Sequence, residues 1–328
     1  MNGDGVNRRS IQWFPGHMAK TLRLMRQEVR GVDAVLLLLD ARIPRSSLNP
    51  ELEAIAAAKP RLYVLNKADL ADPALTARWV RWFCGQGAGC VAISAKQKSG
   101  TAAVRRAVDE ALAGLVARNA QRGMTGARVR VMVAGIPNVG KSTFINTFAG
   151  AARAAAADRP GVTRGRQWIT AGRYDLLDMP GVLWNKFDSL ETASNLAFIG
   201  SIKDDILDLE ELAAGLLSQM RAVYPGRLAG RYKLSEEQLA LPAWELLEAI
   251  GRGRGMLMRG GEVDTARAAA MLVDEFRASR WGRITLETPP DDAAAGQAVP
   301  DGAQQAYGPA VPQTPNSPRQ ADAGKDEA

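Results

Sequence analysis

The sequence predicts an α/β protein: a mostly parallel sheet covered on both faces by helices, with a smaller all-helical C-terminal domain. Three observations predict it. Short apolar runs recur in the first 180 residues and each stops at a glycine or a polar residue. One of them leads into a glycine-rich loop that closes Gly140-Lys141-Ser142. Past about residue 200 the strand pattern gives way to helical spacing of apolar residues.

Residues 1 to 10 carry no such pattern and are expected to be flexible. The next twenty hold Lys20, Arg23, Arg26 and Arg30 against Glu28 alone, which predicts a basic helix. The runs that follow are Ala34 to Leu39 before Asp40, Leu62 to Leu65 before Asn66, Val91 to Ile93 before Ser94, Val129 to Ala134 before Gly135, and Leu176 to Leu177 before Asp178. Runs of this length, separated by helical stretches, predict parallel strands buried on both faces. Ligands of such sheets bind beyond the carboxyl ends of the strands, so the polar residues just named are expected to gather at one edge. Asp40-Ala41-Arg42-Ile43-Pro44 reads as a turn after the first strand. Helices are expected over Asp208 to Met220, Pro242 to Ile250 and Asp264 to Arg277. From Pro289 the chain turns to Pro, Ala, Gly, Gln and Asp, and buries too little to offset the entropy of ordering, so 289–328 reads as a disordered tail. The expected division is a nucleotide-binding domain over 11–200 and a helical domain over 201–288.

Of the 328 residues, 46% are hydrophobic and 23% charged, a globular composition. Cys84 and Cys90 have neither the spacing nor the partner histidines of a zinc site, and no disulfide framework follows from two cysteines. No apolar run reaches the ~18 residues that span a bilayer, so a soluble, cytoplasmic protein without a membrane partner is expected. Lysines and arginines number 42 against 35 acids. That excess suits a polyanionic partner such as RNA, and by itself suits solubility equally well.

Gly135-Ile136-Pro137-Asn138-Val139-Gly140-Lys141-Ser142 has the G-x-x-x-x-G-K-[ST] form, follows an apolar run and precedes the helix-like Thr143-Phe144-Ile145-Asn146. Its glycines let backbone N–H groups close around phosphate oxygens; Lys141 brings charge to the β- and γ-phosphates, and Ser142 brings a hydroxyl to Mg²⁺. The loop binds a nucleotide without naming the base.

The base is read by Asn66-Lys67-Ala68-Asp69, which has the N-K-x-D form of GTPases. A carboxylate such as Asp69 accepts from both N1–H and the 2-amino group of guanine, whereas adenine has an acceptor at N1 and nothing at C2. Ser94-Ala95-Lys96 resembles the loop that backs the guanine ring, and Asp178-Met179-Pro180-Gly181 the D-x-P-G loop on the magnesium side. Thr163, in Pro160-Gly161-Val162-Thr163, is a further magnesium-side candidate. The base-reading motifs precede the phosphate loop, the reverse of the usual order. The expected architecture is therefore a P-loop GTPase-like sheet, circularly permuted.

With these motifs in place, Ile11-Gln12-Trp13-Phe14-Pro15-Gly16-His17-Met18-Ala19-Lys20 and a late segment through Gly255, Gly260, Gly261, Asp264, Phe276, Arg277 and Ile284-Thr285-Leu286-Glu287 resemble the ribosome biogenesis GTPase A (YlqF) family over about residues 11 to 288. The resemblance implies a GTP-hydrolysing factor in late maturation of the large ribosomal subunit, with the helical domain on ribosomal RNA. Arg252, Arg254, Arg259, Arg267, Arg277, Arg280 and Arg283 are the candidate phosphate contacts. It also implies a water-positioning role for His17, since the residues after D-x-P-G are Val182 and Leu183 and neither side chain can hold a water. The other reading of His17 is a local packing or capping residue beside Trp13 and Phe14. Asn138 stands where potassium-stimulated GTPases hold a monovalent ion, and equally suits a turn. Trp168, Trp184 and Phe187 read as core or loop anchors. Two other readings stay open: an RNA scaffold whose affinity alone is set by nucleotide, and a permuted GTPase acting on the small subunit.

Overall fold

The computed structural model describes residues 16–124, 126–150 and 167–290. Residues 1–10, Trp13, Phe14, Thr163 and almost all of the tail expected over 289–328 lie outside them. The basic helix is α1 (Gly16–Glu28), which buries Met18, Leu22 and Met25, spaced four and three apart on one face. Strand β1 (Ala34–Asp40) is buried at every position, as a central parallel strand must be.

Helix α2 (Pro50–Ala56) begins where Asn49 accepts the N–H groups of Glu51 and Leu52. Strand β2 (Arg61–Asn66) follows, then α3 (Pro73–Gly85), capped by Asp72, and β3 (Gly89–Ala92). Helices α4 (Thr101–Ala111) and α5 (Ala113–Gln121) lead to β4 (Val129–Gly135) and α6 (Lys141–Ala149). A hairpin of β5 (Gln167–Ala171) and β6 (Tyr174–Asp178) completes a six-stranded sheet of order β3-β2-β1-β4-β6-β5.

All neighbours are parallel except β5 and β6. Strand β5 went unread in the sequence because it is a half-exposed edge: only Ile169 and Ala171 turn inward, so no apolar run marks it. The register sets Asp40 beside Asn66, Leu38 beside Gly135 and Val133 beside Asp178, which gathers the strand ends at one edge. Successive strands run outward in opposite directions from the β1/β4 pair, and the crevice there is where such sheets bind ligands.

Beyond the sheet come α7 (Leu190–Phe198), α8 (Leu209–Val223), α9 (Pro225–Tyr232), α10 (Glu236–Ala240), α11 (Ala243–Gly253) and α12 (Thr265–Arg277). The long amphipathic ones match the expected helices; α9 and α10 are too short to show a period. After α12 the chain runs back to the sheet. Ile284 N–H donates to Leu70 O and Leu286 N–H to Arg42 O, while the Glu287 carbonyl accepts the indole N–H of Trp79. The last described residues thus strap the loops that follow β1 and β2.

Candidate nucleotide-binding site

The phosphate loop leaves β4 at Gly135 and enters α6 at Gly140, which adopts φ +95. A side chain there would be strained, and its Cβ would lie 2.4 Å from Asn66 Nδ2. The Lys141 ammonium folds back on the loop, 2.9 Å from Ile136 O and 3.3 Å from Gly135 O. Burial pushes its pKa down to about 8, and Asp178 only partly offsets this. Gly181 of the D-x-P-G loop packs so closely that a Cβ would lie 2.8 Å from Lys141 Nζ. Ser142 is half-buried at the start of α6 and Asp178 is buried at the end of β6. Both bring oxygen donors of the kind Mg²⁺ takes.

The base-reading motifs are tied to this loop and to each other. Asn66 donates its side-chain amide to Val139 O at 2.9 Å and accepts the N–H of Ala95 at 3.1 Å, so one residue links all three segments. Lys67, at φ 61, donates to Asn138 O at 2.6 Å. Ser94 donates its hydroxyl to Asp69 Oδ1 at 2.6 Å, anchoring one oxygen of the carboxylate that the sequence assigned to the base. A cavity of about 760 Å³ opens between these groups. Asn66, Lys67, Asp69 and Lys96 form one wall and Asn138, Gly140 and Thr143 another, so motifs from opposite ends of the chain order face one space.

Two features were not read from the sequence. Asp40 and Arg42 do stand in the expected turn, yet both are buried beneath the base-reading loop. Asp40 accepts Arg42 Nε at 2.9 Å and Nη2 at 2.8 Å, and lies 3.0 Å from Lys67 Nζ. Burial alone would push its carboxyl up; Arg42 and Lys67 outweigh that and hold it well below the usual carboxylate range. Two opposite charges closing a fully apolar strand were the available signal. The second feature is a third wall from beyond the sheet, with Ile199, Gly200, Lys203, Asp205 and Arg277. Nothing in a motif marks it.

Other candidates fall differently. His17 is exposed in the first turn of α1, where its carbonyl accepts the Thr21 hydroxyl at 2.9 Å, and it does not line the cavity. Asn138, at φ 59, donates its side chain to Gly200 O. Arg277 and Arg283 are not free for RNA phosphate. Arg277 pairs with Asp204 and donates to Phe198 O and Ala197 O; Arg283 donates to Ala71 O and Ala68 O. Trp184 is buried edge-on to Phe187, as an anchor should be, whereas Trp168 is 44% exposed.

Fold and site together define a P-loop GTPase whose base-reading motifs precede its phosphate loop. The family described as 50S ribosome-binding GTPase matches residues 130–222. Ribosome biogenesis GTPase A of Bacillus cereus is 43% identical over 284 residues, spanning 85% of this chain and 94% of that protein. The protein of the same name from Thermotoga maritima is 27% identical over 282 residues, 86% of this chain and 95% of its own. The chain belongs to the ribosome biogenesis GTPase A family. A GDP-bound YlqF structure superposes with a TM-score of 0.57 at 25% identity, covering 82% of this chain and 100% of that one. A GNP-bound YlqF from T. maritima gives 0.56 at 25% identity, covering 83% and 99%.

Proposed function

We propose that this GTPase is an assembly factor for late maturation of the large ribosomal subunit: in its GTP-bound form it binds ribosomal RNA or a pre-ribosomal particle in the cytoplasm, and it leaves on hydrolysis. The observation that carries the reading is the contact between phosphate loop and helical region. Asn138 and Pro137 are hydrogen-bonded to Gly200 and Ser201, at the start of the segment leading into the helices that carry the exposed arginines. A change at the phosphates reaches that segment through two hydrogen bonds, from the Asn138 amide and from the Ser201 hydroxyl.

In this reading Asn66, Lys67 and Asp69 hold guanine, backed by Ser94, Ala95 and Lys96. Asn138, Val139, Gly140, Lys141, Ser142, Thr143 and Gly181 hold the phosphates. Ser142, Thr163 and Asp178 hold Mg²⁺, which when bound neutralises charge on the phosphate oxygens. Asn138 adds K⁺ in place of its bond to Gly200. Lys141 stabilises the charge that develops on the transferred phosphoryl group. Val182 and Leu183 are fully buried and turned into the core, so neither orients water. His17, on an exposed turn within the family-marking segment, takes that task by a movement of α1 toward the phosphates when the particle is bound.

The test is GTP hydrolysis by the purified protein in KCl and in NaCl, with and without large-subunit particles, repeated with His17→Ala. Stimulation by the particles that is lost in His17→Ala, with nucleotide binding intact, is the expected result. Stimulation by small-subunit particles instead would move the protein to that subunit. Normal subunit assembly in cells carrying His17→Ala would favour a scaffold in which turnover is dispensable.

A further inference from the structure

The guanidinium of Arg42 has a donor to spare. Its Nε and Nη2 are spent on Asp40, at 2.9 and 2.8 Å, and its backbone N–H donates to the same carboxylate at 3.0 Å. The remaining nitrogen, Nη1, is buried without a hydrogen-bond partner among the described residues. Buried donors are nearly always satisfied, and a charged one left open points to a partner that is absent or not yet in place. Arg42 itself is only 3% exposed, yet it lines the nucleotide cavity.

Asp69, a carboxylate that lines the same cavity as Arg42, is an acceptor of the right kind. Burial opposes the charge on Arg42; Asp40 more than restores it, and the field of Asp69 adds to that effect. Asp69 is held by Ser94 through Oδ1 alone, which leaves its plane free to rotate about that contact. Guanine presents N1–H and a 2-amino group side by side, so the carboxylate must face both with its plane fixed. An arginine suits such work better than a lysine, because its planar fork can serve two carboxylates in fixed directions.

We propose that Arg42 is a positioning residue for guanine recognition: anchored on Asp40, it gives Nη1 to Asp69 and aims that carboxylate at the N1–H and 2-amino edge of the base. The inference rests on the reading of the cavity as a guanine nucleotide site. It also explains why Arg42 is gripped from the helical side, with the Phe276 ring 5.6 Å from its guanidinium and Leu286 N–H donating to its carbonyl at 2.8 Å. The base-reading carboxylate and the segment 284–287 share one support.

The experiment compares GDP with IDP, whose hypoxanthine lacks the 2-amino group, by calorimetry on the full chain. Loss of aim should hurt the two-bond ligand more than the one-bond ligand, whereas general loosening of the site would hurt both alike. Arg42→Met is expected to weaken GDP by about tenfold and IDP by less than about threefold, collapsing the preference toward that of Asp69→Ala. Arg42→Lys, which keeps the charge and the pairing with Asp40, should lie between and serves as the test if Arg42→Met does not fold. A wild-type preference for GDP that persists in Arg42→Lys or Arg42→Met, or equal losses for both ligands, would overturn the proposal alone. A wild type that binds GDP and IDP equally would overturn it together with the role of Asp69.

Discussion

Asn138 donates its side-chain amide to the carbonyl of Gly200 at 2.5 Å, across the gap between the phosphate loop and the turn after α7. Next to it, Ser201 donates its hydroxyl to Pro137 O at 2.8 Å. Arg277 of α12 holds the other side of the same turn through Ala197 O, Phe198 O and both oxygens of Asp204. The turn is therefore clamped between the glycine-rich loop and α12.

Replacing Asn138 by glycine tests that clamp, because glycine keeps the positive φ while removing the amide. Amide exchange of residues 199–205 in the nucleotide-free protein is expected to accelerate. If Asn138 also holds K⁺, the same variant loses any stimulation by KCl over NaCl. Unchanged exchange would mean that Arg277 and the Ser201–Pro137 bond hold the turn without Asn138.

With Lys141 at the phosphates, nucleotide binding is expected to depend on pH. Its folded pKa of about 8 lies below its ordinary 10.5, so between those values the unfolded chain binds more protons and stability of the nucleotide-free protein rises with pH. Below about 8 the buried ammonium costs about 3 kcal/mol. Phosphate oxygens beside it would restore its pKa. Calorimetry of GDP binding near pH 9 in buffers of different ionisation enthalpy should then show uptake of up to about one proton, and affinity should fall as pH rises above 8. Lys141→Met should raise the melting temperature of the nucleotide-free protein at pH 7 while abolishing tight binding. Binding with no proton uptake would place Lys141 away from the phosphates.

Buried parallel strands announce themselves as apolar runs, and each run read from the sequence is a strand of the sheet, with Asp40, Asn66, Gly135 and Asp178 at its ends. That the motif residues gather around one cavity was legible because phosphate and guanine binding demand fixed residue types at fixed spacing. Illegible were features made by contact between distant segments. Glu287 meets Ser46 across 241 residues and Arg277 meets Phe198 across 79, and neither pairing leaves a local pattern. Seven arginines looked alike on the chain; only packing separates those that hold carbonyls from those that face solvent.

Those facing solvent lead to a prediction about RNA. Arg252, Arg259, Arg267 and Arg280 are exposed and show no ion pair among the described residues, while Arg254 lies 3.7 Å from Glu275 and 5.2 Å from the Tyr232 ring. Substituting Arg252 or Arg259 with alanine should weaken binding to large-subunit RNA and reduce the slope of log affinity against log salt by about 1 for each phosphate left without its cation. Arg277→Ala should instead lower stability, since it strips two carbonyls and Asp204 of their donor. Equal salt slopes in wild type and the Arg252 and Arg259 variants would place the RNA surface elsewhere.

The strap that follows α12 hangs on Glu287. Its buried carboxylate accepts the N–H of Arg45 at 2.7 Å, the N–H of Ser46 at 3.0 Å, the Ser46 hydroxyl, and the side-chain amide of Asn195 at 3.1 Å. Burial pushes its pKa up, and these donors pull it back only in part, so the net shift is upward. A folded pKa above the unfolded value means that the folded state holds the proton more tightly. The resulting stability is fully present below pH ~4.5 and is lost as pH rises through the folded pKa. Glu287→Gln removes this titration and should flatten that part of the stability profile measured by urea denaturation. Glu287→Ala removes the acceptor at every pH, leaves the buried N–H of Ser46 and the partly buried N–H of Arg45 without it, and should cost about 1–3 kcal/mol. Because Leu286 and Thr285 bond to Arg42 O and Ala41 O, detaching the strap also loosens the support under Asp69. GDP affinity should therefore fall in Glu287→Ala even where the protein remains folded. A variant that loses stability and keeps full GDP affinity would show that the strap secures the fold without reaching the base.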